Sequence, residues 1–166
     1  MSAATDRVRG ALAAAGLDVE VRSFPAGTRT AGDAARAIGV EVGQIVKSLV
    51  FARPGSGRPL LALVSGANQA DEALLAAAAG EPVARADADA VRAAAGASIG
   101  GVPPIGHPQP LETLIDADLL RYAVVWAAAG TPTDVFPIAP DDLVRVTGGR
   151  VVELRAADGS SAGPPR

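Results

Sequence analysis

The sequence predicts a mixed α/β (α+β) single domain, a curved, barrel-like mixed β-sheet surrounded by short helices. Three observations predict it. Of 166 residues 49% are apolar, enough for one core of ordinary size. The runs "IVKSLVFA" and "PLLALVSG" flank the turn-rich "RPGSGR", as the two strands of a hairpin do. Short helical segments, most of them closed by a glycine, alternate with apolar runs along the chain.

A first amphipathic helix is predicted over residues 6–15, with Thr5 as its cap, Val8, Leu12 and Ala15 on one side and Gly16 as its stop. "LDVEVRSF" alternates as a half-buried strand should. "TAGDAARAIG" opens with Thr30 and Asp33 at capping-box spacing and closes at Gly39, giving a helix of about two turns. The hairpin strands follow and are expected to be central. "ADEALLAAAAG" and "DADAVRAAAG" are Ala-rich helices ending at Gly80 and Gly96, with "PVARA" a short strand between them. "ASIGGVPPIGHPQP" carries too many glycines and prolines for a helix or a central strand and must be a shaped loop. "TLIDADLL" and "YAVVWAAA" are expected strands, "AGTPTDVF" a tight connection into another, "APDDLVRVTGG" a last helix and "RVVEL" a last strand. With no repeat or linker in evidence, residues 1–155 are expected to form one domain and 156–166 a disordered tail.

Composition excludes several functions. No apolar run approaches the roughly 18 residues that cross a bilayer, and the amino-terminal stretch lacks a basic start followed by an apolar segment. A soluble cytoplasmic protein without a targeting peptide or membrane partner is expected. The absence of cysteine removes disulfides, thiolate nucleophiles and Cys-ligated zinc. A net charge of −3 argues against a protein that coats DNA or RNA. The charge is uneven: residues 1–60 hold eight basic and five acidic side chains, the remainder seven and thirteen. A local basic face toward an RNA end is therefore open to Arg7, Arg9, Arg22, Arg29, Arg36, Arg53 and Arg58, the alternative being a solvated mixed-charge surface.

Of the fifteen basic residues fourteen are arginine, and Lys47 is the single lysine. It sits in the middle of a strand with Ile45, Leu49 and Phe51 on its side and Val46, Ser48, Val50 and Ala52 on the other. A strand apolar on both faces is covered on both, and an amine there either snorkels to water or lines a cavity that needs it. Unlike arginine, a lysine among apolar groups can lose its proton or act as a poorly solvated, strong electrostatic anchor.

The segments "QIVKSLVF", "IGGVPPIGHP" and "VWAAAGTPTDVF", in this order and at these separations, resemble the YbaK/EbsC family of aminoacyl-tRNA deacylases, related to the editing insertion of bacterial prolyl-tRNA synthetases. The likeness runs from about Phe24 to Leu154. It implies a free-standing hydrolase that serves translation fidelity by cleaving the ester between a wrong amino acid and the 3′-terminal ribose of a tRNA. The aminoacyl-tRNA acceptor end is then the partner, with a synthetase as a second one. The resemblance makes Lys47 the main functional side chain and places Ser48 at a small-hydroxyl position. It also makes the loop with Gly100, Gly101, Pro103, Pro104, Gly106 and His107 a wall of the pocket, and the loop with Ala129, Gly130 and Asp134 a border of the aminoacyl group.

The residues agree with this chemistry and bound it. Ester hydrolysis needs a positioned water, a stabilised oxyanion and a proton for the leaving ribose oxygen. Lys47 could anchor the terminal phosphate or ribose, or stabilise developing charge; anchoring is the favoured role. The Gly101 amide is a candidate to hold the water or the carbonyl oxygen. His107, the single histidine, is open to a general-base reading, but between Gly106 and Pro108 it fits a hydrogen-bonded loop residue better. One histidine without carboxylates at ligand spacing makes no zinc site, so no metal or cofactor is expected. Asp116, Asp118, Asp141 and Asp142 read as helix starts and solvated turns, and Trp126 as core or pocket margin. The small side chains of "WAAAGT" point to a small substrate, and the resemblance implies a tRNA for proline carrying alanine or cysteine. Two alternatives stay open: a non-catalytic aminoacyl- or nucleotide-binding module associated with a synthetase, and the same fold acting on an unrelated small ester.

Overall fold

The computed structural model describes residues 2–24 and 30–157. Arg29 and residues 158–166 of the expected tail lie outside them. Among the described residues five α-helices and eight strands follow one another as α1 (Ala3–Ala14), β1 (Arg22–Ser23), α2 (Ala31–Ile38), β2 (Val46–Ala52), β3 (Leu60–Ser65), α3 (Glu72–Ala79), β4 (Ala84–Arg85), α4 (Ala88–Ala95), β5 (Glu112–Asp116), β6 (Val125–Ala128), β7 (Asp134–Ile138), α5 (Pro140–Thr147) and β8 (Arg150–Val152).

The predicted hairpin is the centre of the larger sheet, which runs β4-β2-β3-β5-β8. β2 and β3 pair antiparallel, with Lys47 opposite Val64 and Ser48 opposite Leu63. Every residue of β3 is buried, because β5 pairs with its other edge in parallel and apolar clusters cover both faces. On one face Val46, Val50, Leu61 and Leu63 pack with Val8 and Leu12 of α1, Val91 of α4, Ala127 and Phe136. On the other, Phe51, Leu60, Ala62 and Val64 pack with Leu75 of α3 and Leu154. Burying a side chain such as Leu61 or Phe51 contributes about 1.5–3 kcal/mol, so this double-faced packing fixes β2 firmly.

The expected single barrel-like sheet is instead two open sheets. β1-β7-β6 form the smaller one, and it meets the larger at an isolated bridge between Ile45 and Trp126. Closure needs a continuous ladder around the sheet. Here the ladder breaks along the outer edge of β2.

Several local expectations are refined. α1 begins earlier than predicted, capped by Ser2, whose Oγ accepts from Thr5 N–H at 3.0 Å; Thr5 itself is buried within the helix. Only Arg22 and Ser23 of "LDVEVRSF" join a ladder, although Leu17, Val19 and Val21 still pack on the core. The stretch 117–121 is a 3-10 turn rather than strand, opened by Asp116, whose carboxylate accepts from Asp118 N–H at 3.0 Å. Of the arginines open to a basic face, Arg53 is 1% exposed and belongs to the interior. Among the described residues no helix is long and apolar enough to cross a membrane.

Candidate functional site

Where the ladder breaks there is a cavity of about 360 Å³, within the range of about 300–1,000 Å³ usual for small-molecule sites. Its floor is Ile45 and the β2 residues Val46 to Val50. Its walls are Ala31, Ala34 and Ile38 of α2, Trp126–Ala128 of β6, Ile99, Gly100 and Val102 of the Gly-Pro loop, Pro132, and Arg85 of β4 with Ala86 after it.

The polar character of the floor follows from strand geometry. Val50 C=O accepts from Ala86 N–H at 3.2 Å, on the side of β2 away from β3. Main-chain groups in an antiparallel ladder alternate in direction along the strand, so Ser48 turns its N–H and C=O to that same side. Among the described residues no strand meets it there: β4 pairs with Phe51 and Ala52, and the bridge to β6 is at Ile45. Ser48 Oγ is buried as well and, among the described residues, has no hydrogen-bond partner. Buried polar groups are almost always paired, and one left alone costs about 1–3 kcal/mol. The main-chain N–H and C=O of Ser48 thus turn to the cavity, with its buried hydroxyl beside them.

Lys47 lies on the same rim. Its Nζ donates to Asn68 C=O at 2.5 Å, which among the described residues leaves two of the three ammonium N–H groups available. Asn68 is held in turn, since its Nδ2 donates to Asp116 at 2.8 Å and to Asp118 at 2.9 Å. Asp116, 1% exposed, also accepts from Ser65 N–H at 3.0 Å. Asp116 and Asp118 therefore support the turn that receives the lysine rather than standing as solvated turn residues. Burial pushes the Lys47 pKa below the ordinary lysine value, the Arg85 guanidinium adds to the lowering, and the Asp116 carboxylate opposes it. Arg85, which sequence reasoning missed, stacks on the Phe51 ring at 5.6 Å from its centroid and lines the cavity. The described lining holds these two cations and no carboxylate, a balance suited to an anionic ligand.

The other sequence-predicted residues divide by position. Lys47, Ser48 and Gly100 line the cavity; Gly101, Pro103, Pro104, Gly106, His107, Ala129, Gly130 and Asp134 do not. The Gly101 N–H donates to Ser98 C=O at 2.9 Å, so this amide is already used inside the loop. A Cβ on Gly101 would come within 2.7 Å of the Thr131 backbone; what the position needs is a missing side chain. Asp134 braces its own loop, accepting from Thr131 Oγ1 at 2.8 Å and from Ser23 Oγ. Trp126 is both core and pocket margin: it packs with α2 and lines the cavity, with the Arg22 guanidinium 5.1 Å above its ring. Among the described residues no group of three or more His, Asp or Glu side chains is placed to hold a metal ion.

His107 lies in the loop with its Nε2 2.7 Å from Pro103 C=O, which makes Nε2 the protonated, donating nitrogen. Burial lowers its pKa, the Pro103 hydrogen bond works the other way, and the Arg7 charge adds to the lowering. Above pH of about 6.5 neither folded nor unfolded chain protonates it. Below that the unfolded chain takes the proton first, so stability falls with pH until the lower folded pKa is passed. His107→Gln is expected to flatten this fall, read from urea midpoints between pH 7.5 and 5; an unchanged slope would contradict it.

The sequence pattern defining the aminoacyl-tRNA editing domain matches residues 25–146. A solved structure described as a candidate trans-editing enzyme for prolyl tRNA synthetase is 46% identical, with a TM-score of 0.88, over 95% of this chain and 99% of that one. Another, from work on grafting epitopes onto scaffold proteins by computational design, is 44% identical with a TM-score of 0.87, again over 95% and 99%. An uncharacterized protein of Bacillus subtilis, YwhH, is 28% identical over 75% of this chain and 78% of its own.

Proposed function

This chain belongs to the aminoacyl-tRNA editing domain family, and we propose that it is a trans-acting deacylase that hydrolyses the ester of a mischarged tRNA(Pro) carrying a small amino acid such as alanine or cysteine. The observation that carries this reading is Ser48 at the open edge of β2, whose main-chain groups turn to the cavity beside Lys47 and whose buried hydroxyl is unpartnered among the described residues. The likeness to a protein described as acting in trans for prolyl tRNA synthetase supports the choice of tRNA, and the apolar walls of alanine, valine and isoleucine support a small aminoacyl group.

In this reading the two free N–H donors of Lys47, with Arg85 nearby, hold the terminal phosphate and ribose, while the aminoacyl group lies against β2 and the Gly-Pro loop. The Ser48 main-chain N–H and hydroxyl hold the ester carbonyl or the attacking water. Water adds to the carbonyl carbon, the bond to the ribose oxygen breaks, and that oxygen takes up a proton; the adjacent ribose hydroxyl is placed to pass it. His107, outside the cavity with Nε2 engaged by Pro103, has no part in the proton transfers.

The test is to incubate the purified chain with tRNA(Pro) charged with alanine, cysteine, serine or proline and follow ester loss over time. Selective loss of one small amino acid is expected; saturable binding without loss above the spontaneous rate would instead establish a non-catalytic binding module. Ser48→Ala gives a second check with opposite signs. Removing a buried, unpaired hydroxyl is expected to raise stability by about 1 kcal/mol, while kcat/KM falls about tenfold, the equivalent of about one hydrogen bond. A variant both less stable and fully active would show that the hydroxyl serves the fold.

A further inference from the structure

Helix α1 precedes the segment that matches the family pattern, yet both loops that wall the cavity rest on it. Arg7 Nη2 donates to Gly96 C=O at 2.8 Å and its Nε to Gly106 C=O at 3.2 Å. One planar fork thereby ties together two points ten residues apart, the two ends of the Gly-Pro loop. The contact is tight. Gly106 has φ +80°, and a Cβ there would lie 2.9 Å from the Arg7 and Val8 backbone. The second loop sits one turn earlier on the same helix: Gly130 has φ +102°, and a Cβ there would lie 2.8 Å from Ala4 and Thr5.

The two loops also touch each other, through Gly101 against the Thr131–Pro132 backbone, and from them Gly100 and Pro132 enter the cavity wall. A continuous path of contacts thus leads from the Arg7 guanidinium to the part of the wall formed by Gly100 and Pro132. Val102 and Ile105 pin the middle of the loop in the core, so the ends are what the arginine fixes.

We propose that Arg7 is a positioning residue that, by clamping both ends of the Gly-Pro loop to α1, sets the width of the cavity and so limits it to small aminoacyl groups. The selectivity in this proposal rests on the deacylase reading of the same site; the clamp does not. One methylene more or less in an apolar pocket changes discrimination about 10- to 200-fold, so loosening this wall is expected to admit a larger residue such as proline.

The experiment compares wild type, Arg7→Met, which keeps the apolar stem and loses every donor, and Arg7→Lys, which keeps one point of contact. Amide hydrogen exchange is followed at Gly101 and at the β3 amides, beside kcat/KM for alanyl- and prolyl-tRNA(Pro). In Arg7→Met the Gly101 amide is expected to exchange at least about tenfold faster with β3 unchanged, and the alanyl-to-prolyl ratio to fall about tenfold; Arg7→Lys is expected to lie between. Unchanged exchange at Gly101, or accelerated exchange with an unchanged ratio, overturns the proposal. Faster exchange throughout β3 as well also overturns it, by showing that Arg7 serves the whole fold. If wild type hydrolyses neither ester, the selectivity falls with the functional reading, while Gly101 exchange still decides whether the clamp exists.

Discussion

Lys47→Ala is expected to lower kcat/KM for deacylation about 100-fold, the worth of one charge-assisted hydrogen bond lost from a partly buried site. The loss is expected chiefly as a rise in KM, because an anchor on the terminal phosphate binds ground state and transition state alike. An equal fall in kcat and kcat/KM would assign the ammonium to developing negative charge instead. Lys47→Arg is expected to recover little. The ammonium occupies a compact site against Asn68 C=O, closed beneath by Asp116 and Asp118, and a guanidinium is wider, flat and always charged. Near-normal activity of Lys47→Arg would show that any cation suffices there. Full activity of Lys47→Ala would remove the residue from the site altogether.

Arg53→Met is expected to cost about 3 kcal/mol of stability, a large part of the roughly 5–15 kcal/mol that holds a domain together. Its guanidinium is 1% exposed and makes three bonds, to Glu112 at 2.6 Å, Arg58 C=O at 2.9 Å and Pro59 C=O at 2.7 Å. Methionine fills much of the volume but strands both carbonyls. Glu112, 40% exposed on its side chain, recovers water in part, which keeps the cost below that of a fully buried broken pair. A melting temperature about 6–12 °C lower is the expected reading; a shift under 2 °C would mean that the hairpin loop rearranges to satisfy those carbonyls. The same arginine holds the Glu112 pKa below its ordinary value of 4.5. That contribution is present above pH of about 4.5 and lost as pH falls through the folded pKa, so the variant should also show a shallower acid limb.

Arg53 also shows what a sequence conceals. Its neighbours "RPGSGR" mark a turn, and a turn arginine reads as solvated; that it folds back under its own hairpin is a tertiary fact. The hairpin itself was legible, because its apolar runs and Gly-Pro turn act locally. So were α2, α3 and α4, whose caps Thr30, Asp71 and Asp87 each accept main-chain N–H bonds as their residue types favour. The two sheets were not, since whether strand edges meet depends on what lies between them, here a cavity along residues 46–49.

The site divides in the same way. Lys47 stood out as an anomaly of composition in an apolar strand, and Ser48 came with it through a family resemblance. Arg85 was hidden in a two-residue strand, and Arg7, named only as a candidate for a basic face, gave no sign of partners 89 and 99 residues away. Asn68 shows no signal at all in sequence, because it receives Lys47 through its carbonyl, which every residue type carries.

The central claim is that the open edge of β2 receives the aminoacylated end of a tRNA. Its most direct test is amide NMR of the chain titrated with adenosine carrying alanine at the 3′ position through a stable amide. The account predicts shifts at Lys47, Ser48, Gly100 and Ala127 that saturate together and weaken in Lys47→Ala. Shifts confined to another cavity, beside Ala90, Ala94 and Leu111, or none at millimolar analogue, would contradict it.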